Sequence, residues 1–160
     1  MFPANLTRWI FASVTKHFYD RRGGYEMWIE GQRRRGGEDA NQIEVRMDGP
    51  DLTEVSKDYW RVFIEVNILC SAVLDDQSFH TLHQMVGDIS SKFTNIGVFR
   101  LGVDTDPSND GTLIGCLELV QHPSPSRGRL RIRHFGQVNP EIALIRASVE
   151  GHYQAFFTFS

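Results

Sequence analysis

Cysteine is scarce in this chain of 160 residues, which has only Cys70 and Cys116. Neither belongs to a Cys-x-x-Cys pair or a Cys/His spacing, so the signatures of a zinc ribbon or a disulfide-stapled scaffold are absent. Both lie in apolar, strand-like runs and are expected as small buried hydrophobes in a reducing compartment. Long apolar runs are missing as well. No window approaches the roughly 18 residues that a membrane helix needs. The start MFPANLTRW holds neither a basic stretch nor a continuous apolar one, so neither secretion nor membrane insertion is expected. An excess of cations is also lacking: 17 Lys and Arg stand against 20 Asp and Glu, for a net charge of −3. A general nucleic-acid binder relies on the opposite balance to displace counterions from phosphate.

The familiar motifs of catalysis are absent too. Glycines 23 and 24, 36 and 37, and 97 and 102 form neither a Walker A loop nor a Gly-x-Gly-x-x-Gly fingerprint. His80 and His83 stand three apart on a predicted helix, but no carboxylate follows at a ligand spacing. His17, His122, His134 and His152 are scattered, with no partner in a nucleophile motif. The run DTDPSNDG spaces Asp104, Asp106, Ser108 and Asp110 like a calcium loop. Its sixth and twelfth positions are Asn109 and Gly115, where glycine and a bidentate glutamate are required, so a solvated turn is expected. Glu44, Asp48 and Glu65 could gather on one sheet face, as a metal-dependent nuclease would need. Their alternation with Arg46 and Arg61 points instead to cross-strand ion pairs. No catalytic residue, metal ligand or cofactor is assigned, and the chain is expected not to be an enzyme.

What the sequence does hold is periodicity. Leu6, Trp9, Ile10, Val14, His17 and Phe18 recur at three and four, which predicts a helix capped by Asn5 and ended at Arg21-Arg22-Gly23-Gly24. YEMWIEGQ reads as a short strand. The glycine-rich, charged stretch after it predicts a mobile loop over 33–41, read as a solvated hairpin tip or an arm reaching a neighbour. Ile43, Val45 and Met47 alternate with Glu44, Arg46 and Asp48, and DGPDL is expected to turn. In DYWRVFIEVNILC, Trp60, Val62, Ile64, Val66 and Ile68 face the core, while Arg61, Phe63, Glu65 and Asn67 face away. A second helix begins at Asp75 or Asp76 and packs through Phe79, Leu82, Val86, Ile89 and Phe93. Strands follow at 96–103, in LIGCLELVQ, in RGRLRIRHF and over 142–159. With no repeat or linker, this order predicts a single α+β domain over 1–160, a mainly antiparallel sheet of about six to seven strands with two helices on one face. The second face carries Phe63, Phe135 and Phe156 among its charges, a mixture that suits a partner surface.

In RGRLRIRHF, alternation places Arg129, Arg131 and Arg133 on one face and Leu130 and Ile132 on the other. Three partners are open to the arginine row: carboxylates within the chain, a neighbouring subunit, or nucleic acid.

The order of elements resembles that of the tail terminator and tail-completion proteins of long-tailed bacteriophages. The carriers are NLTRWIFASVTKHFYD, QIEVRMDGP, DYWRVFIEVNIL, SFHTLHQMVGDISSKF and ALIRASVEGHYQAFFTF. The resemblance is one of layout over nearly the whole chain. It implies a virion protein of the tail or neck, assembled in the host cytoplasm. Such a protein forms a homo-oligomeric ring, usually of six subunits, that caps the tail tube and joins it to the head–tail connector or stopper protein. Weak contact with passing DNA is implied as well, and no membrane. A subunit interface is then expected to draw on Arg129, Arg131, Arg133, Phe135 and Phe63, on Glu44, Asp48 and Glu65, and on Arg33, Arg34 and Arg35. The rival readings are a tail tube or other neck subunit, a small metal-dependent nuclease, and a basic-stripe nucleic-acid module.

Overall fold

The computed structural model describes residues 3–30, 40–102, 105–136 and 144–158. Among them, helix α1 (Pro3–Asp20) leads into strands β1 (Glu26–Ile29), β2 (Gln42–Ser56) and β3 (Tyr59–Val73). Helix α2 (Ser78–Ser90) follows. Strands β4 (Ile96–Phe99), β5 (Leu113–Val120), β6 (Leu130–Gly136) and β7 (Leu144–Thr158) complete the fold, with a single 3₁₀ turn at Pro125–Arg127 before β6. The expected α+β architecture is present: one mixed, mostly antiparallel, curled sheet with two helices.

The strand order is β1-β2-β3-β7-β5-β4, and β6 pairs with β7 as well. β7 is central because it is long. Its residues 144–158 pair with β3 along one side, while β6 takes 146–151 and β5 takes 152–154 along the other. Alternation then fixes the two faces. Val62, Ile64, Val66 and Ile68 of β3 lie opposite Ala155, Tyr153, Gly151 and Val149 of β7, and this row is buried under the helices. α2 packs on β3 and β7; α1 touches both β2 and β4, so the sheet curls until α1 spans the gap between them.

Polar contacts fasten this layer. Ser13 Oγ accepts the backbone N–H of Phe99 (2.9 Å) and lies 3.3 Å from the Phe99 carbonyl, tying α1 to the edge of β4. Trp9 Nε1 donates to Asn109 Oδ1 (2.8 Å), and Tyr153 Oη donates to the Thr94 carbonyl (3.0 Å). His17 lies 2.8 Å from the Lys92 carbonyl, to which its Nε2–H donates. Gly151 is required beneath Phe93, since a Cβ there would sit 2.5 Å from the ring.

Several expectations need correction. DGPDL does not turn. β2 runs through it with a bulge between Asp48 and Asp51, where Gly49 adopts φ +104°, and the chain reverses at Lys57-Asp58, with Asp58 at φ +61°. Asn5 lies inside α1 and accepts from Arg8 instead of capping. The side chain at the start of α2 is Asp75, which accepts the Gln77 N–H from outside the helix (2.8 Å). Phe79 is 63% exposed, because the buried stripe runs through Ser78, Leu82, Met85, Val86 and Ile89. Cys70 is buried as expected, which pushes its thiol pKa up to about 12, but Cys116 is exposed. β1 and β2 pair in parallel and are not the two arms of a hairpin. Of the expected loop, 33–39 lie outside the described residues, while Asn41 is anchored: its side chain accepts the Val73 N–H (3.0 Å) and its carbonyl the Glu26 N–H (3.3 Å).

Candidate functional site

The face of the sheet opposite the helices carries the residues singled out in the sequence. Register places them in rows. Asp48 of β2, Glu65 of β3 and His152 of β7 form one row, and Arg46, Asn67, Glu150 and Arg131 form the next. Glu44, Leu69, Ser148 and Arg133 form a third. Toward the end of the β3–β7 ribbon lie Phe63 and Phe156; Arg61 sits 4.8 Å over the Phe63 ring, and Tyr59 stacks on Phe156 at 5.5 Å.

At the centre lies an ion network whose pivot is Arg127, in the turn before β6. Its guanidinium bridges Glu65 and Glu150, donating to both oxygens of Glu65 and, at 3.0 Å, to Glu150 Oε2. The bond with Glu65 chiefly raises the Arg127 pKa above its ordinary value. Asn67 donates to Glu150 Oε1 at 3.3 Å, and Arg133 approaches the same oxygen at 3.9 Å. Glu150, whose residue is 7% exposed, can hold its charge there because cations and an amide surround it.

Two histidines complete the network. His122 is held by the Ser124 N–H at Nδ1 (2.9 Å), and Arg127 Nη1 lies 2.9 Å from Nε2. A neutral imidazole accepts at one nitrogen only, so the two donors compete for it, and an imidazolium would satisfy neither. His152 stacks edge-on with His122 at 5.0 Å and with Phe63 at 5.2 Å. Its ring nitrogens are buried with no hydrogen-bond partner among the described residues, and burial, followed by the neighbouring His122, lowers its pKa. The space between these groups, about 10 Å³, is no larger than one water requires.

Of the expected interface residues, Glu44, Asp48, Glu65, Phe63, Arg131 and Arg133 do share this face. Phe135 lies 40% exposed beside Arg133, whose guanidinium is 5.3 Å from its ring. Arg33, Arg34 and Arg35 lie outside the described residues. Glu65 is withdrawn into the Arg127 network, and Glu44 bonds Arg46 at 3.3 Å. Among the described residues no three His, Cys, Asp or Glu side chains are arranged to hold a metal ion. Asp48 and Asp51 on β2, and Arg129 and Arg131 at β6, have no ion-pair partner among the described residues. Among the described residues, unlike charges therefore lie unpaired at opposite ends of one face.

A second feature was not anticipated. The outer face of α1 forms the floor of an open groove of about 870 Å³, walled by Gly49 and Pro50 of β2 and by Leu101. Phe11 and Tyr19, 42% and 51% exposed, line it. The sequence carried a signal for this groove: Phe11, Thr15 and Tyr19 recur at four, a second helical stripe beside the core one. No family model matches the chain, nor does any curated protein sequence.

Proposed function

We propose that this chain is a structural subunit of the head–tail junction of a long-tailed bacteriophage, a tail terminator-like protein that closes head-to-tail into a ring. On this reading the ring caps the tail tube and joins it to the connector or stopper protein. One observation carries the proposal: among the described residues, Asp48 and Asp51 at the β2 edge and Arg129 and Arg131 at the β6 edge have no ion-pair partner. A two-fold dimer needs one patch that matches itself, whereas two unlike patches at opposite edges suit a repeated rotation that brings one edge onto the other. The α+β layout agrees with that of the proteins the sequence resembles. The exposed aromatics Tyr59 and Phe156 supply anchoring area of the kind that dominates protein interfaces.

Negative-stain images of the concentrated purified protein test this. Closed rings of one diameter are expected. Open-ended tubes would move the assignment to a tail tube subunit, and particles no larger than one chain would overturn it.

A further inference from the structure

We infer that copies of this chain join by strand addition, with β6 of one copy lying along the outer edge of β2 of the next, over the outer face of α1. The inference rests on the self-association proposed above and specifies its surface.

Both edges are available. Among the described residues β6 pairs only with β7, and β2 pairs with β1 only through Val45, which leaves 46–56 without a strand on that side. Each edge exposes backbone N–H and C=O groups that an added strand would satisfy, save at Pro50, which has no N–H, and at the bulge between Asp48 and Asp51.

The two edges also match on both faces. On the helix side, β6 shows Leu130 and Ile132, 36% and 45% exposed, and the groove beside β2 shows Phe11 and Tyr19. On the open side, β6 shows Arg131 and Arg133, and β2 shows Asp48 and Asp51. A strand added to β2 would lie about 4.8 Å from it, which brings Arg131 within reach of these carboxylates and lays the Leu130–Ile132 row on the aromatic floor. The seven residues of β6 would span about 23 Å, comparable with the roughly 27 Å of the 18-residue α1 below them. Apolar meets apolar and acid meets base in a single placement. That double match favours a second copy over an unrelated peptide.

The test uses Asp48→Arg and Arg131→Glu, separately and mixed. Each single variant presents like charges at every joint, and its association constant should fall about 100-fold or more. In an equimolar mixture the introduced glutamate of one variant meets the introduced arginine of the other at one joint, and Arg131 meets Asp48 at the next, so assembly should recover in alternation. Because Arg131→Glu also faces Glu150 within the chain, Ile132→Asp, whose side chain points to the helix side, is the second probe and should weaken association comparably while leaving the fold intact. Single variants that assemble like the wild type, or that fail to recover on mixing, would overturn the strand-addition joint while leaving the ring reading standing. A wild-type chain that never associates would overturn both.

Discussion

Arg127 is a quarter exposed, yet it joins carboxylates from two strands. Replacing it with Gln would leave Glu65 and Glu150 facing each other, with Asn67 and the distant Arg133 beside Glu150 and His122, 3.8 Å away, beside Glu65. Solvent access discounts the full penalty of a broken buried pair, so a loss of about 1–2 kcal/mol is expected in chemical denaturation, with association little changed. Acid should act on the same network. The pKa of His152 is held below its ordinary 6.5 chiefly by burial, and burial likewise lowers that of His17. The unfolded chain therefore binds protons more readily, so stability is full above pH 6.5 and declines as pH falls through it. Melting temperatures between pH 7.5 and 5 should show this decline, and His152→Gln should flatten it; an unchanged slope in the variant would exclude His152 as a source. The sequence placed Glu65 on the open face correctly by period 2. It did not reveal that a turn arginine would occupy that carboxylate, because alternation assigns faces within strands and says nothing of a side chain folded over from a loop.

At the scale of elements, the bulge in β2 shapes the edge on which the groove depends. A Cβ on Gly49 would lie 3.0 Å from both the Asp51 nitrogen and the Phe63 carbonyl oxygen, at a φ that L side chains rarely adopt. Gly49→Ala is thus expected to cost about 1–3 kcal/mol, read as a shift of the denaturation midpoint. Ser13→Ala removes a hydroxyl that serves both backbone groups of Phe99 and should cost about 1–2 kcal/mol. Phe79→Ser, on the exposed side of α2, should change stability by no more than about 0.5 kcal/mol, whereas a core position would lose several. These cases show what periodicity can convey. The strand and helix stripes were legible because burial repeats at 2 and 3.6 residues. Gly-Pro at 49–50 read as a turn because a bulged strand uses the same residues, and only the pairing of β2 with β3 distinguishes the two. Phe79 fell one position off the buried stripe, a shift that Ser78 and Met85 define only once the helix is docked.

For the whole molecule, the sheet separates two jobs. Its helix side holds the core, and its open side holds a neutralised centre flanked by unlike edges. Net charge alone hides this arrangement, because −3 is a sum over both edges. The α+β class was readable from element order. The curl that lets α1 touch both β2 and β4, and so floor the groove, was not, because it arises from contacts between segments far apart in sequence. If association depends on unlike charges across copies, it should weaken as salt rises.

The most direct test is the solution mass of the purified chain by sedimentation equilibrium across protein concentration and ionic strength. Head-to-tail closure predicts one discrete species of several times 18.3 kDa at low salt, dissociating as salt is raised. A mass of 18.3 kDa at every concentration and every salt would contradict the account.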